Sequence, residues 1–236
     1  AVDPDLMFKD YLYVSGTSRT MLDHFKWFAG FTKEYSQLLF GKDRLFPISV
    51  LDIGCNDGSQ LRHYKNFGLD TYGIDPAENL AEKSMFRGHE IFVDFFDANF
   101  ILKHDGEYDI ITAQNVFAHN YDPYTFMLCA KKIMHKDSLF FIQTSQSDMI
   151  LNNEFDTIYH EHISFYNIKS MDALCRRAGL NLIDVIKCPL HGTSYIFVVS
   201  KSIYGTNRVK NLIAMEDLEN TIFHQVWNNV HAHIYE

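Results

Sequence analysis

Two groups of polar side chains carry the chemical content of this sequence. The first is Asp52-Ile53-Gly54-Cys55-Asn56-Asp57-Gly58, which closes an apolar run from Ile48 to Ile53 and leads into a helical pattern. A glycine turn between strand and helix lets backbone approach a ligand closely, and Gly54 and Gly58 can take positive φ where the turn needs it. The spacing D-x-G-x-N-D-G differs from the G-x-G-x-x-G turn that leaves room for a pyrophosphate at a helix N-terminus. A carboxylate at Asp52 repels a pyrophosphate and suits a cation. Asp52 and Asn56 offer polar groups to such a ligand, while Cys55 in the same loop reads as a small buried thiol. Further on, Thr71-Tyr72-Gly73-Ile74-Asp75-Pro76 ends a second strand. A carboxylate there can accept both hydroxyls of a ribose, or it can cap the next helix. The third strand ends in Phe92-Val93-Asp94-Phe95-Phe96-Asp97, placed to wall a base. Phe95 and Phe96 would serve equally well as core.

The second group is Glu154-Phe155-Asp156-Thr157-Ile158-Tyr159-His160-Glu161-His162-Ile163-Ser164-Phe165-Tyr166. Titratable groups are dense here, in a loop after the fifth strand. His162 can act as a general base because imidazole titrates near neutral pH, with Glu161 or Tyr159 orienting it or polarising a substrate oxygen. His160 and His162, two apart on an extended segment, could instead share a metal, and a polar surface loop is a third reading. Between the two groups, the fourth strand runs into Asn115-Val116-Phe117-Ala118-His119. Asn115 and His119 stand where ligands gather in open α/β sheets, at the carboxyl ends of the strands. His119 could also cap the following helix.

These groups need a scaffold of alternating elements. Strands are predicted at 48–53, 70–75, 90–95, 108–114, 138–144, 181–188 and 192–201, with helices at 58–67, 78–87, 122–135 and 168–179. Such alternation with short connections gives a mostly parallel sheet covered on both faces. Pro189-Leu190-His191-Gly192 is short enough to join the last two strands as an antiparallel hairpin. Before the sheet, residues 4–14 read as a short helix or extended arm. A helix capped by Thr17 or Ser18 follows, with Met21, Phe25, Phe28, Phe31 and Tyr35 on one face and Gly41 at its end. Residues 203–207 form a turn and 208–234 a long polar helix, on which Ile222, Phe223 and Trp227 could pack against something outside this chain. The divisions expected are an N-terminal helical lid (1–45), the sheet domain (46–202) and a C-terminal helix (203–236).

Composition narrows the classes further. The chain has 236 residues, 47% of them hydrophobic, enough for one substantial core. A formal charge of −9 argues against a nucleic-acid partner; Lys131, Lys132, His135 and Lys136 read as the solvated face of a helix. Cys55, Cys129, Cys175 and Cys188 form no C-x-x-C pair, so a cysteine-rich zinc site is not expected. No signal peptide and no long uncharged apolar run is visible, which points to a cytoplasmic setting without a membrane partner. The sequence opens at Ala1 and runs out in a helical pattern at Glu236, as a piece of a longer polypeptide would.

The loop L-D-I-G-C-N-D-G resembles motif I of the class I S-adenosyl-L-methionine-dependent methyltransferases, whose donor carries a sulfonium and an ammonium group. A wider set of segments resembles the sugar C-methyltransferase family across roughly residues 3–200. These are Asp5-Leu6-Met7-Phe8 with Tyr11-Leu12-Tyr13-Val14-Ser15-Gly16-Thr17-Ser18, the N-V-F-A-H segment and F-D-T-I-Y-H-E-H-I-S-F-Y. Met171-Asp172-Ala173-Leu174, Ala178-Gly179-Leu180, Asp184-Val185 and His191-Gly192 complete the set. The resemblance implies a Rossmann-like class I methyltransferase fold, S-adenosyl-L-methionine as cofactor and a nucleotide-linked 4-keto-6-deoxy sugar as partner. It implies that His162 is the base that takes a proton from carbon 3, with Tyr159, Glu161 and Tyr13 as active-site companions and no metal. The sequence departs from the family in lacking a zinc domain built on cysteine pairs. It carries Gln143 or Gln146 where an acidic residue is frequent, and Thr193 where a second glycine is. Further domains of the same polypeptide would complete the sugar site. A sugar O-methyltransferase, or a module that binds the donor without catalysis, is the alternative.

Overall fold

A computed structural model describes residues 7–41, 48–144, 158–190 and 193–218. The expectations for 154–157, Gln146, His191-Gly192 and the helix beyond 218 lie outside the described residues, as do Ile222, Phe223 and Trp227.

The sheet has seven strands: β1 Ser49–Ile53, β2 Asp70–Ile74, β3 Glu90–Phe92, β4 Tyr108–Gln114, β5 Met134–Thr144, β6 Asn181–Cys188 and β7 Ser194–Ser200. Their order is β3-β2-β1-β4-β5-β7-β6. β7 runs antiparallel to both neighbours and the other pairings are parallel. The chain leaves β1 toward β2 and β3, then returns to β4 on the other side of β1. That reversal opens a crevice at the carboxyl ends of β1 and β4.

Helices cover both faces: α1 Arg19–Phe40, α2 Ser59–Asn66, α3 Glu78–Phe86, α4 Ala98–Lys103, α5 Pro123–Lys132 and α6 Ile168–Ala178, then α7 over 207–218. The strands are apolar on both sides and divide by their period of two. Val50, Ile110, Phe141 and Val198 belong to the core under α1, α2 and α3, with Phe28, Leu61 and Ala81. Leu51, Ile111, Phe140 and Val199 belong to the core under α4 to α7, with Phe100, Phe126, Met171 and Val209. Each large side chain so removed from water contributes on the order of 1.5–3 kcal/mol. Ser18 caps α1 by accepting from Met21 N, and Gly41 ends it at φ 90°. A buried Thr32–Tyr64 hydroxyl pair at 2.7 Å fastens α1 to α2.

Several boundaries move. β3 stops at Phe92 rather than 95, because the chain bends there toward α4, a six-residue helix not predicted. Asp97 caps that helix by accepting from Asn99 N and Phe100 N. α5 ends at Lys132 rather than 135, and β5 begins at Met134 rather than 138. His135 and Lys136 are therefore strand residues, not part of a solvated helix face. His135 sits 3.2 Å from Asp109, and Lys131 Nζ reaches the carbonyl of Ala178 at 3.1 Å.

Candidate active site

A cavity of about 870 Å³ opens at the carboxyl edge of the sheet, at the β1/β4 reversal. Its floor is the β1–α2 loop. Gly54 at φ 72° donates to Ile74 O at 2.8 Å, and Gly58 at φ 73° closes the turn by donating to Cys55 O at 3.0 Å. A side chain at Gly54 would run into Val116, so the close approach of the two loops depends on glycine. Asp57 faces away and fixes the turn, accepting from Ser59 N at 3.2 Å and pairing with Arg87 at 3.0 Å.

Asp52, Cys55, Asn56, Asp75 and Pro76 all line the cavity. Asp75 is buried and accepts from Asn56 N at 2.8 Å and Ala77 N at 2.9 Å. Burial raises its carboxyl, and the two N–H groups oppose that rise. Asp52 accepts from Thr112 Oγ1 at 2.6 Å, and burial pushes its carboxyl up to about 7. The Cys55 thiol is buried and held protonated by the same effect. Asn56 takes φ 51° and uses its amide on the N-terminal arm, accepting from Ser15 N at 2.9 Å and donating to Tyr13 O at 3.0 Å. Asn56 therefore ties a cover over the cavity, to which the arm adds Phe8, Tyr11, Tyr13 and Ser15. Gly58 does not reach the cavity and packs against Ser84 and His89.

Beyond β3, Asp94, Phe95, Phe96 and Asp97 line the cavity. Phe96 is also core, edge-on to Phe126 at 4.9 Å. Asn115 at φ 56° and His119 line it from the β4 side. The His119 ring stacks on Phe8 at 5.8 Å and lies 5.2 Å from the His162 ring. Burial, with His162 beside it, lowers His119 to about 4, so its imidazole is neutral at physiological pH.

His162 and Tyr159 complete the wall. Their loop is pinned below the 3-10 turn Phe117–His119, because Ile163 N and Ser164 N both donate to Ala118 O, at 2.9 and 3.2 Å. The Tyr159 hydroxyl lies 3.2 Å from His162 Nε2. Glu161 is outside the cavity lining; it accepts from the Tyr11 hydroxyl at 3.4 Å and lies 3.8 Å from His160. Burial, and then that carboxylate, raise the Tyr11 phenol. The exposed His160 lies near Glu161 and edge-on to the Tyr159 ring at 6.1 Å, while His162 packs on the same tyrosine at 4.3 Å.

Sequence reasoning noted Gln143 only as a departure from an acidic residue and missed the polar cluster it joins: His24 of α1, Gln60 of α2 and Gln114 at the end of β4. Gln60 and Gln114 line the cavity, with Met21 and Phe25 of α1. The legible hint was a polar residue at or near the end of each of two apolar strands, Gln114 on β4 and Gln143 on β5.

The strand order, antiparallel last strand and cavity at the β1/β4 reversal define the class I methyltransferase architecture. The sequence matches the methyltransferase domain family over residues 28–185, more than half of the chain, and the chain belongs to that family. It is an S-adenosyl-L-methionine-dependent methyltransferase domain. The C-methyltransferase NovU of Streptomyces niveus is 29% identical over 199 residues, which are 83% of this chain and 46% of NovU. The ubiquinone biosynthesis O-methyltransferase of Aromatoleum aromaticum is 27% identical over 58% of this chain and 65% of its own length. The chain thus spans less than two thirds of these curated relatives. Among solved structures, the plantazolicin methyltransferase BpumL in complex with SAH superposes with a TM-score of 0.60 at 17% identity, covering 77% of this chain and 85% of BpumL. Magnesium protoporphyrin IX methyltransferase from Synechocystis PCC 6803 with bound SAM gives 0.60 at 12% identity, over 86% and 99%. Both share the fold.

Proposed function

We propose that this domain methylates carbon 3 of a nucleotide-linked 4-keto-6-deoxy sugar, with His162 as general base. The observation that carries the reading is the His162–Tyr159 pair at 3.2 Å in the wall of the cavity that also holds Asp52 and Asp75. The likeness to a C-methyltransferase supports it.

The cavity fits the donor. Asp75 at the end of β2 offers a carboxylate to ribose hydroxyls, and Pro76, Phe95 and Phe96 offer apolar surface to a base. Asp52, Gly54 and Asn56 lie toward the methionine end, and Asn115 and His119 toward the sulfonium. When bound, S-adenosyl-L-methionine supplies an electrophilic methyl group on sulfur. His162 Nε2 takes the proton from carbon 3, which the neighbouring C4 ketone acidifies. The negative charge that develops on the ketone oxygen needs preorganised donors; the Tyr159 hydroxyl and the neutral His119 ring stand beside the base. Carbon 3 forms a bond to the methyl group as the methyl–sulfur bond breaks, and the proton remains on His162. Glu161, through Tyr11, holds the arm against the loop, and Tyr13 closes over the acceptor side. The nucleotide portion of the sugar is held with the help of further parts of a longer polypeptide, in a cytoplasmic setting.

The likeness to O-methyltransferases favours a second reading, in which His162 deprotonates a sugar hydroxyl and the product is a methyl ether. Incubation with a nucleotide-linked 4-keto-6-deoxy sugar and S-adenosylhomocysteine in D₂O separates them. Deuterium is expected at carbon 3 with the wild type and not with His162→Ala, and S-adenosyl-L-methionine then gives a C-methyl product. Methylation of a 4-hydroxy sugar alone would overturn C-methylation. Donor binding without turnover on either acceptor would leave a binding module.

A further inference from the structure

On the α1 side of the cavity a chain of amides has its polarity dictated from one end. The carbonyl of Phe25 can only accept, so Gln60 turns Nε2 toward it, at 3.1 Å. Gln60 Oε1 then accepts from Gln114 Nε2 at 3.0 Å. Gln114 is left to point Oε1 at His24 Nε2, 3.1 Å away, and Gln143 Oε1 lies 2.8 Å from the same nitrogen. Two acceptors converge on one ring nitrogen, so that nitrogen carries the proton. Nδ1 faces the Cys188 sulfur at 3.8 Å. Gln114 and Gln143 are register partners on β4 and β5, which puts their side chains on the same face of the sheet. Among the described residues the buried Nε2 of Gln143 has no hydrogen-bond partner. Turning that amide over would set its NH₂ against the His24 N–H, so an orphaned donor is kept in exchange for a fixed order.

This order matters because of what the cavity lacks. Among the described residues no Lys or Arg lines it. A ligand carboxylate entering it must therefore be met by neutral N–H and O–H donors. On the donor placement proposed above, the ribose and base lie toward Asp75 and Phe95, and the amino-acid end lies toward the β1 loop, whose side of the same cavity Gln60 and Gln114 also line.

We propose that His24 is a positioning residue for the methyl donor: by donating from Nε2 to Gln114 Oε1 and Gln143 Oε1 it closes the relay that the Phe25 carbonyl opens and anchors the far end of the Gln114 amide, so that the remaining Gln114 N–H is held to receive the carboxylate of the donor's amino-acid end. This rests on the donor placement proposed above. His24 itself lies outside the cavity lining.

Titration calorimetry tests it with two probes: S-adenosylhomocysteine, which has the amino-acid end, and 5′-methylthioadenosine, which does not. His24→Phe keeps an aromatic ring beside Trp27 and Phe28 but removes the N–H donor. It is expected to weaken S-adenosylhomocysteine about tenfold, the effect of one hydrogen bond, and to leave methylthioadenosine unchanged. The double variant with Gln114→Leu is expected to bind no more weakly than Gln114→Leu alone. Equal losses for both probes, or additive losses in the double variant, would overturn the proposal while leaving the donor placement intact. Failure of the wild type to bind either probe would overturn both. Should His24→Phe not fold, ¹⁵N spectroscopy of the wild-type histidines decides: the Nε2–H tautomer is expected for His24, and the Nδ1–H tautomer overturns the relay.

Discussion

Asp52 on β1 and Thr112 on β4 are register partners, and the Thr112 hydroxyl donates to the Asp52 carboxylate at 2.6 Å with both side chains buried. Burial outweighs that hydrogen bond, and Asp75 adds to the rise, so Asp52 titrates at about 7 in the folded chain. The folded protein therefore keeps a proton that the unfolded chain has already lost. Stability from this group is full below the ordinary carboxylate pKa and declines as pH rises toward 7. A cation bound beside Asp52 favours the ionised form. Affinity for S-adenosyl-L-methionine is expected to rise between about pH 6 and pH 8, with proton release on binding. Calorimetry in two buffers of different ionisation enthalpy reads that proton. Asp52→Asn should abolish the release and raise the melting temperature of the unliganded chain at the alkaline end. A wild type that binds the donor with no proton release below neutrality would show that the carboxyl is already ionised.

Gly54 and Val116 set how closely the β1 and β4 loops approach. At φ 72°, Gly54 has a conformation that costs an L-residue about 1–2 kcal/mol, and a Cβ there also collides with Val116. Gly54→Ala is expected to lower the melting temperature and weaken S-adenosylhomocysteine. Val116→Ala in the same chain should restore part of the loss, because it relieves the collision and not the backbone strain. Full restoration would mean that φ at this position carries no cost; no restoration would mean that the collision is not what matters.

The sheet was legible because its strands are apolar on both faces and separated by helical patterns, and Gly54, Asp75 and Ser18 announced their turns and cap. Its edges were less so. In the sequence Asp97 reads only as part of the wall around a base, and the short α4 that it caps has one buried anchor, Phe100, too little periodicity to register. The pattern M-H-K-D reads as a helix end, yet it continues β5 because Met134 pairs with Tyr108 across a register shift. The cofactor loop residues converge on one cavity because β1 and β2 are adjacent and parallel, which the spacing implied. The His24 relay was out of reach: its contacts join positions 90 and 119 residues apart, and polar residues in a helix face and at strand ends carry no local signal of one another.

Asn56 joins the loop to the arm, and its two tasks separate by mutation. Its φ of 51° is tolerated by asparagine and glycine, while its amide holds Tyr13 O and Ser15 N. Asn56→Gly keeps the backbone and frees the arm; Asn56→Ala does both damages. Both variants should show faster proteolysis within residues 9–18 and weaker S-adenosylhomocysteine binding, with Asn56→Ala additionally about 1 kcal/mol less stable. Unchanged proteolysis in Asn56→Gly would mean that Phe8 stacking and the Tyr11–Glu161 bond hold the arm without Asn56.

Tyr159 and His162 can be told apart by what each removal leaves. If His162 Nε2 takes the substrate proton, His162→Ala should lower kcat by about 10²–10⁴-fold and leave S-adenosylhomocysteine affinity unchanged, since the ring belongs to the acceptor side of the cavity. The Tyr159 hydroxyl, 3.2 Å from that nitrogen, orients the ring and stands near the developing oxyanion, so Tyr159→Phe should cost kcat about tenfold with little change in acceptor KM. An unchanged kcat in Tyr159→Phe would reduce the hydroxyl to a surface contact of an exposed ring.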